Sequence, residues 1–197
     1  ACLVHYSRYC IGVYPNGTFW RKISNWETLK HVILRKKFIA MKKLQFTKTI
    51  KAPASLVYDT MLGIHRKKDY EEWTAAFNPT STFKGTWGEG SKMYFTGTDE
   101  EGTVGGMVSK IEKNIPNEFI SIKHIGILKG EKEITEGPEV APWAGMLENY
   151  TFQEEEGITT VIIETDSDEE YENYFNETWE KALQQLKIMV EKKNRPE

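Results

Sequence analysis

The chain has 197 residues, 39% of them hydrophobic and 12% aromatic, with a formal net charge of −3. That composition suits one folded domain with an extension and excludes a disordered protein. Its apolar runs are too short to span a bilayer, and its charge gives no overall pull towards nucleic acid or anionic membrane.

The charge divides sharply at Met41. Residues 1–40 hold seven Lys/Arg and one Asp/Glu, whereas residues 41–197 hold 19 and 28. Both cysteines, Cys2 and Cys10, lie in the first segment, and the cysteine-free remainder agrees with a cytoplasmic setting. The segment begins at Ala1 and lacks the long apolar core of a signal peptide. Three readings stay open for it: a basic arm for an acidic partner, a targeting segment, or translated upstream sequence outside the native protein. Met41-Lys42-Lys43 is a usable start at the composition break, which favours the third. The expected division is therefore a basic extension over 1–43, disordered or non-native, a domain over 44–193 and a tail over 194–197.

From Leu44 to Ile50 apolar and polar residues alternate, which predicts a strand. Pro53 opens a short helix with Val57, Met61 and Ile64 on one face. A second short helix aligns Tyr70, Trp73 and Phe77 and stops at Asn78-Pro79. Six strands follow, over 82–85, 91–98, 103–112, 119–128, 147–153 and 159–165, separated by Gly-, Asp- and Pro-containing turns. A long helix closes the chain over 166–193. Its stripe of Tyr171, Tyr174, Phe175, Trp179, Ala182, Leu183, Leu186, Met189 and Val190 has helical period and is wider than a coiled-coil seam. Ser167 and Glu170 fit a capping box at its start, and Glu177 and Lys181 an i, i+4 pair. The fold class is α+β: about seven antiparallel strands curved around a long C-terminal helix, with two short helices after the first strand.

Several motifs share an order and spacing with a known family. They are Lys51-Ala52-Pro53 with Val57-Tyr58, then Trp73, then Gly85-Thr86-Trp87-Gly88-Glu89-Gly90-Ser91. Glu148-Asn149-Tyr150-Thr151-Phe152 and, in the last helix, Trp179, Ala182, Leu183 and Leu186-Lys187 complete the set. On these residues the chain from Leu44 to Lys193 resembles the START-like, or SRPBCC, superfamily with its helix-grip fold. Within it, the chain resembles the domain homologous to the activator of the heat-shock-protein ATPase. The resemblance implies a largely apolar cavity between sheet and C-terminal helix that holds a hydrophobic or aromatic small molecule. It implies a chaperone as the alternative partner, although residues 1–40 are too few for the second, chaperone-binding domain of the eukaryotic activator.

The residues expected nearest such a pocket are Trp73, Phe77, Trp87, Met93, Phe95, His124, Trp143, Tyr150 and Trp179. Aromatic walls bury large areas, and Tyr and Trp each add one hydrogen-bonding group. Simple core packing is the plainer reading of each. Trp143 stands out because Ala141-Pro142-Trp143-Ala144-Gly145 reads as a loop, where a tryptophan needs a reason. His124 shares a strand face with Ile120 and Ile122 and so can face the pocket, with Glu148 as candidate partner for acid–base work. A hydrogen-bonded core histidine is again the plainer reading, and no catalytic residue is assigned. Nucleophile-elbow, phosphate-loop and zinc-spacing motifs are missing, so neither a cofactor nor a metal is expected. Three function classes follow: a small-molecule container, a chaperone-interaction module, and a cyclase- or hydrolase-like enzyme using the same cavity. The first is favoured.

Overall fold

Alternation sets the first element. Strand β1 (Met41–Ile50) buries Leu44 and Ile50 and exposes Lys42, Lys43 and Gln45. The computed structural model describes residues 41–141, 143–168 and 171–195. The expectations for residues 1–40 lie outside the described residues.

Pro53 is the N-cap of helix α1 (Ala54–Leu62), and Gly63 ends that helix in the left-handed conformation at φ 64°. A Cβ at Gly63 would lie 3.0 Å from the Cβ of Tyr70, so the turn into α2 (Lys67–Thr74) needs glycine for room as well as conformation. Ile64, expected on the buried face of α1, lies beyond this cap and is exposed. Helix α2 ends at Thr74, earlier than predicted, and Phe77 follows in a turn with its N–H bonded to the Thr74 carbonyl at 2.9 Å.

The remaining strands are β2 (Thr82–Gly85), β3 (Lys92–Thr98), β4 (Val104–Ile115), β5 (Phe119–Lys129), β6 (Lys132–Ile134), β7 (Leu147–Glu155) and β8 (Ile158–Asp168). All pair antiparallel, in the order β1-β8-β7-β5-β4-β3-β2, with β6 attached to the end of β5. The sheet thus has eight strands, one more than the pattern predicts. Strand β6 spans three residues, too few to show an alternation. Two register shifts between β4 and β5 leave Ile125 and Glu112 without cross-strand partners. Such bulges sharpen local twist and bend, which helps the sheet curve.

Helix α3 (Glu172–Lys193) lies in the curve. Its buried residues are Phe175, Thr178, Trp179, Ala182, Leu183, Leu186, Met189 and Val190, while Tyr174 is exposed. The start differs from the expected capping box. Strand β8 runs on through Ser167 and Asp168, because β1 extends the ladder to Lys42↔Ser167 and Met41↔Asp168. Ser167 is buried and donates to the Asp168 carbonyl at 3.0 Å, and the helix N-cap is Tyr171 without a side-chain cap bond. Continued pairing satisfies several backbone groups where a cap would satisfy one or two. Glu170 lies outside the described residues.

The helix runs alongside β1 and in the same direction. Lys42 meets Glu172 at 2.5 Å, Lys48 meets Glu180 at 2.7 Å, and the Lys51 N–H donates to Glu191 at 2.9 Å. The i, i+4 ion pair on this helix among the described residues is Lys187–Glu191 rather than Glu177–Lys181. At the far end Lys193 reaches the buried Asp69 of α2 at 2.6 Å, and Arg66 approaches the same carboxylate at 3.0 Å. Exposed pairs contribute roughly 0–1 kcal/mol each. The apolar stripe therefore dominates the hold on α3, and the ion pairs set its register along β1.

Candidate functional site

The sheet's inner face carries two kinds of surface. The larger is a continuous network of rings. Trp179, fully buried on α3, stacks on Phe46 of β1 at 5.8 Å and on Trp73 of α2 at 6.0 Å between centroids. It meets Phe77 edge-on at 5.0 Å and Tyr150 of β7 at 6.1 Å. From Trp73 the network continues to Tyr70 at 5.6 Å, and from Tyr70 to Phe83, Trp87 and Phe95. Each favourable ring pair adds about 0.5–1.5 kcal/mol beyond the area it buries.

The smaller surface is polar. Ser109 on β4 and His124 on β5 are register partners, with Oγ and Nδ1 2.9 Å apart. His124 Nε2 lies 3.7 Å from Glu148 Oε2 on β7, an ion-pair distance rather than a hydrogen bond. Tyr150, two residues further along β7, donates its hydroxyl to Glu148 Oε1. All four residues are buried. Burial pushes the Glu148 carboxyl up, while the His124 ring and the Tyr150 hydroxyl pull it down. Burial first, and then the Glu148 charge, holds the Tyr150 hydroxyl well above its ordinary value, so it stays a donor. A His124 ring protonated on Nε2 accepts from Ser109 and turns its N–H towards Glu148; a doubly protonated ring donates both ways. The row can hold a polar ligand group or relay a proton between an imidazole and a carboxylate.

Of the nine residues picked from sequence, Trp73, Phe77, Trp87, Phe95, Tyr150 and Trp179 fall in the ring network. Met93 is fully buried in the same core cluster, and His124 sits in the polar row. Trp143 stands apart from both. It is half-buried against the core edge, and its Nε1 donates to the Glu139 carbonyl at 3.1 Å. Packing and that one bond supply the reason a loop tryptophan requires.

Sequence reasoning passed over Ser109, Phe46, Phe83 and Tyr70. Ser109 was hidden by the bulge at Ile125, which makes the β4–β5 pairing illegible from two-residue alternation. Tyr70 had a usable signal, because it shares the Trp73 face of α2. Among the described residues no cluster of His, Cys, Asp or Glu has the geometry to hold a metal ion.

A curved antiparallel sheet gripping a long C-terminal helix, with an aromatic and partly polar inner face, defines a START-like helix-grip domain. Residues 51–191 match the family described as Activator of Hsp90 ATPase homolog 1-like protein, and the chain belongs to that family. Solved structures with the same fold include the Aha1 dimer from Colwellia psychrerythraea, at 20% identity and a TM-score of 0.53, covering 78% of this chain and 99% of that one. A Staphylococcus aureus protein of unknown function, SA2116, aligns at 14% identity and 0.59, covering 79% and 97%. CalU16 from Micromonospora echinospora aligns at 16% identity and 0.54, covering 79% and 78%. At these identities the likeness is one of fold alone. No curated protein matches the sequence.

Proposed function

We propose that the domain, residues 44–193, holds a hydrophobic or aromatic small molecule between the inner face of the sheet and α3. The observation that supports this best is the meeting of the two surfaces at Tyr150. Its ring packs on Trp179, and its hydroxyl belongs to the row Ser109–His124–Glu148. An apolar wall with a few convergent polar groups is what small-molecule sites are made of. Four buried polar side chains in one row are more than core packing requires, and they supply the convergent polar groups of such a site.

Nile red, a neutral lipophilic dye, tests the reading. Saturable fluorescence enhancement with about one dye per chain, weakened in Tyr150→Ala, is the expected result. No uptake of this or any other apolar probe overturns it. The family's description brings a second reading, stimulation of a chaperone ATPase, which the family match alone supports. A coupled ATPase assay with purified Hsp90 separates the two: a dye-binding protein that leaves ATP turnover unchanged is a container only.

A further inference from the structure

Four tryptophans lie among the described residues, and their indole N–H groups divide two and two. Trp73 donates to the Met61 carbonyl at 2.8 Å, and Trp143 donates to Glu139. Trp87 and Trp179 find no acceptor among the described residues, although both Nε1 atoms are buried. Trp179 is wholly buried on α3 and Trp87 is 8% exposed, and both belong to the core cluster. A buried donor left unmade is one of the more expensive faults a fold can carry, and native structures keep few. Two such faults in one ring network, one on α3 and one in the loop between β2 and β3, each call for an acceptor partner from outside the chain.

The chemistry of that partner is constrained. An indole nitrogen only donates, so the missing group must be an acceptor. The surroundings are rings: Phe46, Trp73, Phe77 and Tyr150 about Trp179, and Tyr70, Phe83 and Phe95 about Trp87. A charged acceptor enters such surroundings at high desolvation cost, whereas a neutral carbonyl or ether oxygen does not. We infer that the ligand of this face is a neutral, ring-bearing molecule whose carbonyl-type oxygens accept from the Nε1–H groups of Trp87 and Trp179. The inference rests on the small-molecule reading above and names the class of molecule.

Fluorene and fluorenone form a matched pair of probes, equal in shape except that the second carries a carbonyl. Their displacement of Nile red should show fluorenone binding about tenfold tighter, equivalent to about 1.4 kcal/mol. Fluorenone, and not fluorene, should move the Trp87 or Trp179 indole N–H resonance downfield in proton–nitrogen NMR spectra. Trp87→Phe and Trp179→Phe keep a ring and remove the donor, so together they should abolish the preference while fluorene still binds. If either variant fails to fold, the wild-type resonances decide alone. Equal affinities with unmoved resonances overturn the inference and leave the container reading standing. Failure of both probes to bind, with Nile red also excluded, overturns that reading and the inference with it.

Discussion

The ring network and the polar row share one face of one sheet, yet they are held by different physics. Around Trp179 the contacts are many, individually weak and tolerant of small shifts, with four rings within about van der Waals reach of one indole. In the row Ser109–His124–Glu148–Tyr150 the contacts are few and directional. Losing a ring leaves a hole that packing partly refills. Losing a member of the row leaves a buried polar partner short of a hydrogen bond, at the desolvation cost of that group. The first region governs how much the fold gains from burial, and the second governs which groups the face will accept.

Substitutions can break that contrast. The largest effect is expected from Trp179→Ala, about 3–5 kcal/mol of stability lost in chemical denaturation, because a fully buried indole leaves a cavity bounded by several elements. Tyr150→Phe comes next, at about 1.5–3 kcal/mol, since it removes a hydrogen bond to a carboxylate while keeping the ring. An effect under about 0.5 kcal/mol there would show that the row carries no stability. Alkali sharpens the same point. The folded Tyr150 hydroxyl titrates well above 10.0, whereas an unfolded chain ionises near that value. Its contribution is therefore fully present below about pH 10 and is lost as pH rises further. Melting temperatures should fall above about pH 10 in the wild type and fall less steeply in Tyr150→Phe. Tyr58, which burial also raises despite its bond to Asn114, remains in both proteins as the background. Ser109→Ala should cost least, about 0.5–1.5 kcal/mol in chemical denaturation, without disturbing the ring contacts.

Much of the fold was written in periodicity. Leu44 and Ile50 alternate as a paired strand demands, and the stripe from Phe175 to Val190 has the helical step that α3 buries. The misses have local causes. The β8–α3 junction followed pairing with Lys42 rather than the cap signal at Ser167, and pairing between distant segments leaves no mark on neighbouring residues. The ring network was legible mainly through helical period, which puts Trp73 on the buried face of α2 and Trp179 in the buried stripe of α3. Phe46 and Phe83, in the strands, were passed over. The polar row was half legible: His124 has the parity of Ile120 and Ile122, but its contact with Ser109 depends on a bulge that strand alternation does not encode.

The way α3 is fastened to β1 also bears on self-association. An open sheet has two rims, each a row of unpaired backbone groups able to recruit a strand from another molecule. One rim is β1, the longer hazard. Near its end Lys187 Nζ donates to the Thr49 carbonyl, and just beyond it Glu191 takes the Lys51 N–H and Asn194 Nδ2 donates to the Lys51 carbonyl. Lysines at 42, 43 and 48 add charge along the same strand. The other rim is β2, four residues ending at Gly85, where a Cβ would lie 2.5 Å from the Lys92 carbonyl oxygen. One rim is charged and fastened at its end, and the other is too short to template a long partner, so both discourage extension by a second chain.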